Sequence, residues 1–248
     1  MYNKSLNILM FVSFLSVSAC ANYESSKVLP DEEMSEEEAI QSEGDFSNVA
    51  TGLPSEDSLA ISTNEKESIL SKYQHLDPKH EVPTDLLEKA VTYYDANLSK
   101  IANKNYLSVI DFSRKSTLKR FFIIDMKTGA VWGIHTSHGK GSDTNADGIA
   151  EKFSNTSGSN MSSLGFYRAA ETYSGKHGLS LRLEGLSSTN SKARARAIVI
   201  HAADYVSEKN VIQGRSWGCP AVAPENREAV ISKLKGGSII YAGLSGTK

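Results

Sequence analysis

Six apolar runs of five to seven residues, set apart by turn-forming stretches, limit what this chain can become. They are Tyr106–Phe112, Phe121–Met126, Val131–His135, Leu179–Leu183, Ala197–His201 and Ser238–Ala242. Each is too short for a buried helix, and all but Leu179–Leu183 are rich in β-branched or aromatic residues. Lys127-Thr128-Gly129 between the second and third marks a hairpin, and Leu179, Leu181 and Leu183 alternate with polar residues as on a half-buried strand. No βαβ alternation and no internal repeat accompanies them. The expected fold is therefore mainly β, a sandwich or barrel-like core with a few flanking helices.

The helices should lie at the edges. Ile69, Leu70, Tyr73 and Leu76 suggest a short one. Leu86, Leu87, Ala90, Val91, Tyr94, Leu98 and Ile101 suggest a longer one from Thr84 or Asp85 to about Asn103. Pro224 should open a third, with Ala229, Val230 and Leu234 inward.

Charge divides the chain. Residues 21–67 carry thirteen acids and two lysines, whereas residues 68–248 hold 24 Lys+Arg against 16 Asp+Glu. The acidic block has no helical stripe, which predicts a disordered tether at 21–67 ahead of a single basic domain at 68–248, with 68–104 its helical part. A basic domain suits an anionic substrate or polymer, or simply solubility, and an exported domain without an aromatic-basic motif is not expected to bind nucleic acid. Residues 1–20 read as an export signal ending Val17-Ser18-Ala19-Cys20, which resembles a bacterial lipoprotein signal with Cys20 the residue acylated. Ala21 and Asn22 then point to the outer membrane, its periplasmic face.

Only two cysteines exist, Cys20 and Cys219. With Cys20 lipidated, Cys219 has no disulfide partner, and a solitary thiol in an exported protein points to chemistry. It sits in Ser216-Trp217-Gly218-Cys219, downstream of a strand that ends in His201. An imidazole that takes a thiol's proton makes a nucleophile for acyl transfer. Gly218 would let the Gly218 and Cys219 N–H groups face an oxyanion, and Ser216 would orient the loop or the histidine. His138 reads as a second base, a substrate contact, or a histidine with no catalytic role.

The long segment 138–163 reads as a lid or mobile loop. Its Asp143-Thr144-Asn145-Ala146-Asp147-Gly148 matches half of a calcium loop, but Ser154 stands where the bidentate glutamate belongs. His75, His80, His135 and His177 show no metal spacing, so neither a metal nor another cofactor is expected.

Taken in order, four pieces resemble the L,D-transpeptidase (YkuD-type) catalytic domain: the strand pair from Phe121 to Lys140, Ser163-Leu164-Gly165-Phe166-Tyr167, His201, and Ser216-x-Gly218-Cys219, the last continuing to Pro220 as S-W-G-C-P. The resemblance spans roughly Arg120 to Gly243. It implies a β-sandwich core, Cys219 as nucleophile, His201 as a base held by a main-chain carbonyl (that of Ala202), and peptidoglycan stem peptides as substrate, with a monomer expected. Gly139, Tyr167, Arg215 and Trp217 join His138 as candidate substrate contacts. Pro220-Ala221 departs from the family's aliphatic-Arg pair, so a carboxylate-binding arginine must come from elsewhere; Arg215 is the nearest, for that role or a structural one. Transpeptidation, carboxypeptidase or hydrolase activity, and non-catalytic wall binding all remain open on these residues.

Overall fold

The computed structural model describes residues 52–58 and 60–246. The export signal, Cys20 and most of the acidic tether lie outside the described residues. The end of that expected tether is ordered. Leu53 and Ile61 pack on the domain, Tyr93 Oη donates to the Pro54 carbonyl at 2.8 Å, and the Ser188 N–H donates to Asp57 at 3.0 Å. Averaging composition over the acidic stretch hid these anchors, and the 67/68 boundary falls inside a helix. That helix, α1 (Thr63–Lys72), is capped by Ser62, whose hydroxyl accepts from the Glu65 N–H.

Helix α2 (Thr84–Ala96) starts with Pro83, not Thr84 or Asp85, in the capping position. It stops short of Asn103 because the Asn97 side chain donates back to the Tyr93 carbonyl, a local bond that competes with continuing the helix. Leu98 and Ile101 still pack on the same cluster from the irregular segment that follows.

Seven strands follow: β1 (Tyr106–Asp111), β2 (Phe121–Asp125), β3 (Val131–Ile134), β4 (Gly165–Gly175), β5 (Gly178–Gly185), β6 (Val199–Ile200) and β7 (Ile239–Gly243). They form one sheet in the order β3-β2-β1-β7-β4-β5-β6, curled into a half-barrel. The central β1–β7 pair is parallel and every other pair antiparallel. The mainly-β expectation holds, with one curled sheet as the core.

The period-2 alternation sorts side chains to two faces. Leu107, Val109, Phe122, Ile124, Phe166, Ile239 and Tyr241 meet α1 and α2. Ile110, Phe121, Ile123, Tyr167, Leu181, Leu183 and Ile240 form the other face, closed by Val230, Ile231 and Leu234 of α3 (Arg227–Leu234) and by the segments carrying His201 and Cys219. Ala229 is exposed and Ile231 takes the inward place expected for it, because a short 3-10 turn at Pro224–Asn226 offsets the start of α3.

Strand β4, the longest, has no counterpart among the expected runs. Its apolar face is carried by Tyr167 and Ala169, and a register shift between Ala169 and Thr172 breaks the alternation. The Ala197–His201 run is a strand only at Val199–Ile200, since Ala197 adopts a left-handed conformation at φ +52°.

Candidate active site

Strand β6 pairs with β5 through Leu181–Ile200 and Arg182–Val199 and delivers His201 at its end. The imidazole is fully buried. Its Nδ1 lies 2.9 Å from the Ala202 carbonyl oxygen. A carbonyl can only accept, so Nδ1 carries the proton and the lone pair sits on Nε2. The ring of His177, from the two-residue turn between β4 and β5, stacks on it at 4.3 Å between centroids and a 30° tilt. The imidazole is thus fixed in tautomer by one neighbour and in ring plane by another.

Cys219 is 7% exposed. The Val199 N–H donates to its sulfur at 3.4 Å, and the Ala197 carbonyl lies 3.7 Å away, placed to accept from the thiol. Both contacts come from the stretch that runs into His201. The two contacts fix the position of the sulfur against the strand that ends in His201.

The turn that presents the thiol is built from buried hydroxyls. Ser216 Oγ donates to the Cys219 carbonyl at 2.7 Å and accepts from the Gly218 N–H at 3.0 Å. Ser216 therefore orients the loop and has no such bond to the histidine. Gly218 N–H is engaged here, which corrects the expectation that it faces an oxyanion. Gly218 itself has φ +131°, and a Cβ there would sit 2.7 Å from the Met161 carbonyl oxygen; only glycine fits. Segment 136–140 clamps the other side. Ser137 Oγ donates to the Cys219 carbonyl at 3.2 Å, Thr136 Oγ1 donates to that of Ala221 at 2.8 Å, and the Ser216 N–H donates to that of His138 at 2.9 Å.

His138 is neither an exposed base nor a substrate contact. It is buried, taking a bond from Arg120 Nη2 on Nδ1 at 2.8 Å, and its Nε2 meets Asp143 Oδ2 at 3.1 Å. Since a guanidinium only donates, Nε2 holds the proton and the ring is neutral. Burial, reinforced by the Arg120 charge, pushes its pKa down to about 4. Burial likewise pulls Arg120 down to about 9, which leaves it charged at neutral pH. Arg120 also donates to the Thr136 carbonyl at 2.8 Å and so braces the extended segment after β3, against the turn that carries Cys219.

Asp143 anchors the 138–163 segment. Its carboxylate accepts from the N–H groups of Asp147 at 3.1 Å and Gly148 at 2.9 Å as well as from His138. The half calcium motif is thus a self-bonded turn whose carboxylate faces protein donors. Bonds from the N–H groups of Gly141 to Asn160, Glu151 to Ser142 and Ser154 to Ser162 tie the segment down. These bonds hold the segment expected as a lid or mobile loop along the turn that carries Cys219.

Gly139 is buried and bridges to Ser216, so it makes room for the catalytic turn and offers no surface to substrate. Tyr167 is buried behind the thiol, donating to the Ser163 carbonyl at 2.7 Å. Burial pushes its phenol up to about 12, so it stays protonated as part of the core. Arg215 bonds the Asp143 carbonyl, the structural of its two expected roles. Trp217 is partly exposed at the rim, with Lys140 Nζ 4.8 Å from its ring centroid.

Arg196 was not foreseen. It is 6% exposed and donates to the Ser154 carbonyl at 2.8 Å and that of Met161 at 2.6 Å, clamping the 138–163 segment under Gly218. In the sequence it is one of two alternating arginines before a strand, a pattern shared by any exposed edge. Its partners are main-chain atoms forty residues away, which no local pattern encodes.

The family model for the L,D-transpeptidase catalytic domain matches residues 78–242. Three solved structures are similar to the chain at low identity. The L,D-transpeptidase LdtMt1 in complex with imipenem is 15% identical, with 56% of this chain and 59% of that one covered and a TM-score of 0.36. Bd1075 of Bdellovibrio bacteriovorus is 15% identical, covering 58% and 48%, at 0.36. The K307A mutant of the helical cell shape determining protein Pgp2 from Campylobacter jejuni is 10% identical, covering 73% and 55%, at 0.37. The chain thus spans about half to three-fifths of these structures. No curated protein matches it. Among the described residues no helix is long and apolar enough to cross a membrane. With the matched region reaching from before α2 into β7 and holding both His201 and Cys219, the chain belongs to the L,D-transpeptidase catalytic-domain family.

Proposed function

We propose that the protein is a cysteine acyltransferase acting on peptidoglycan stem peptides. His201 Nε2 takes the Cys219 proton. The thiolate then attacks the carbonyl at an L-centre–D-centre amide, the C–S bond forms, and the C–N bond breaks as the imidazolium returns its proton to the leaving amine. An incoming amine attacks the thioester, gives its proton to His201, and the thiolate leaves. The product is a cross-link; water in the amine's place trims the stem. The Cys219 N–H is the amide we assign to the oxyanion, given that Ser216 holds that of Gly218.

The observation that carries this reading is the Nδ1–H bond from His201 to the Ala202 carbonyl. It leaves the basic lone pair on Nε2 while the sulfur is held against the same strand. The test is incubation of the purified domain with disaccharide tetrapeptide, followed by intact-mass analysis. A thioester on Cys219 is expected, along with cross-linked or trimmed products. Cys219→Ala should retain the fold and lose about a thousandfold or more of the rate. No thioester in the wild type, with Cys219→Ala indistinguishable from it, would sink the acyl-transfer reading and leave a wall-binding role.

We place the enzyme at the periplasmic face of the outer membrane as a monomer, held by acyl chains on Cys20, with the acidic segment as tether. Support comes from Val17-Ser18-Ala19-Cys20 and from a substrate that lies in the cell envelope. Radiolabelled palmitate should enter the full-length protein and not Cys20→Ala; equal labelling of both would overturn the anchor.

A further inference from the structure

The β4–β5 hairpin closes through the pair Gly175–Gly178, with Lys176 and His177 as its two turn residues and Gly178 at φ +72° bringing the chain back. Strand β5 then meets β6 antiparallel at Leu181–Ile200 and Arg182–Val199. Followed back along β5, that register carries the turn past the end of β6, where His201 stands. There the half-buried ring of His177 lies on the His201 imidazole, 4.3 Å between centroids and tilted by 30°. The Nδ1 bond to the Ala202 carbonyl fixes one atom of that imidazole, and the stack fixes its plane.

His177 also lines a cleft of about 510 Å³. The charged groups facing it there are Lys176 of its own turn, Asp204 from the chain after β6 and Arg227 of α3. Glu228 pairs with Arg227 at 3.8 Å but is 81% exposed, so water screens it. Two cations against one acid set a field that opposes a further positive charge on His177. The neutral ring is favoured.

The stack has a chemical consequence that rests on the proposed reaction, in which His201 becomes an imidazolium each time it takes the Cys219 proton. A neutral aromatic face attracts a cation, whereas an imidazolium in the same place repels it. Two unit charges at the distance of this stack disfavour one another by about fivefold even at the dielectric of water. We propose that His177 is a positioning residue for the base. Neutral, it holds the His201 ring and supports its charge; protonated, it works against proton transfer from Cys219. Acid then weakens the nucleophile through the neighbour of its base.

The test follows alkylation of Cys219 by iodoacetamide between pH 5 and 9 in the wild type, His177→Ala, His177→Phe and His201→Ala. Thermal melting confirms that each variant is folded. His177→Ala should react about fivefold more slowly at pH 8 through loss of the stack. His177→Phe keeps a ring that cannot take a proton, and should restore most of that rate. At pH 5.5 it should outpace the wild type by up to about fivefold. A His177→Ala rate equal to wild type, or a His177→Phe profile that follows the wild type into acid, overturns this inference and leaves the acyl-transfer reading intact. A His201→Ala profile superimposable on the wild type overturns both.

Discussion

The two faces of the curled sheet are buried by different means. The face under α1 and α2 is closed by apolar and aromatic side chains: Tyr93 stacks on Phe166 at 4.0 Å, and Phe166 on Tyr241 at 4.5 Å. The opposite face also has an apolar floor, but its rim is closed by buried polar groups. Arg120, His138, Asp143, Ser137, Ser162, Ser216 and Arg196 are all below a tenth exposed, and they pair with one another or with main-chain carbonyls. Dispersion and area burial tolerate small shifts, whereas hydrogen bonds in a dry interior hold atoms to fractions of an ångström. His201 and Cys219 sit on the face built the second way.

Substitutions can break this contrast. Phe166→Ala removes the middle ring of the aromatic stack and should cost about 4 kcal/mol of stability, read by denaturant unfolding. The acylation rate per folded molecule should stay near that of wild type. Arg120→Met should cost about 3 kcal/mol because it leaves the Thr136 carbonyl and His138 Nδ1 unpaired in the interior and takes a buried cation away from Asp111 and Asp143. Unlike Phe166→Ala, it should also slow acylation several-fold, since Thr136 and His138 brace the catalytic turn. Equal effects of the two variants on rate would erase the distinction between the faces.

Acid offers a milder probe of the polar face. With its folded pKa near 4, below the value of about 6.5 in an unfolded chain, His138 binds its proton more readily when unfolded. Its contribution is fully present above about pH 6.5 and is lost as the pH falls from there to 4, up to about 3 kcal/mol across that window. Unfolding measured at pH 7, 5.5 and 4 should show this slope, and His138→Asn should flatten it. A slope unchanged in the variant would place the acid sensitivity elsewhere.

The same division explains what the sequence made legible. α1, α2 and the β2–β3 hairpin declare themselves because apolar side chains recur at the period of their secondary structure. Strand β4 escaped because Ala169 and Ala170 are small and the register shifts after them, so its pattern fades although Phe166 and Tyr167 are core residues. The pair His201 and Cys219 was legible from residue type, and the Ala202 carbonyl from resemblance. Gly139 and Tyr167 stand among the expected substrate contacts, while His138 and Arg215 also carry readings without substrate. A sequence shows that a residue is close to a motif and not what it touches; His138, Gly139 and Tyr167 are buried, and Arg215, partly buried, bonds the Asp143 carbonyl. Arg196 had no signal because its partners are distant main-chain oxygens. Leu53, Pro54 and Ile61 were lost in an acidic background, where three anchoring contacts weigh little against average composition.

Whether His201 and Cys219 work as a base and nucleophile pair is read from the rate of Cys219 alkylation by iodoacetamide as a function of pH. Substantial alkylation is expected well below the free-thiol pKa of about 8.5, and in His201→Ala a shift of the profile toward that value with a slower rate at neutral pH. Superimposable profiles for the two proteins, both titrating as an ordinary thiol, would contradict it.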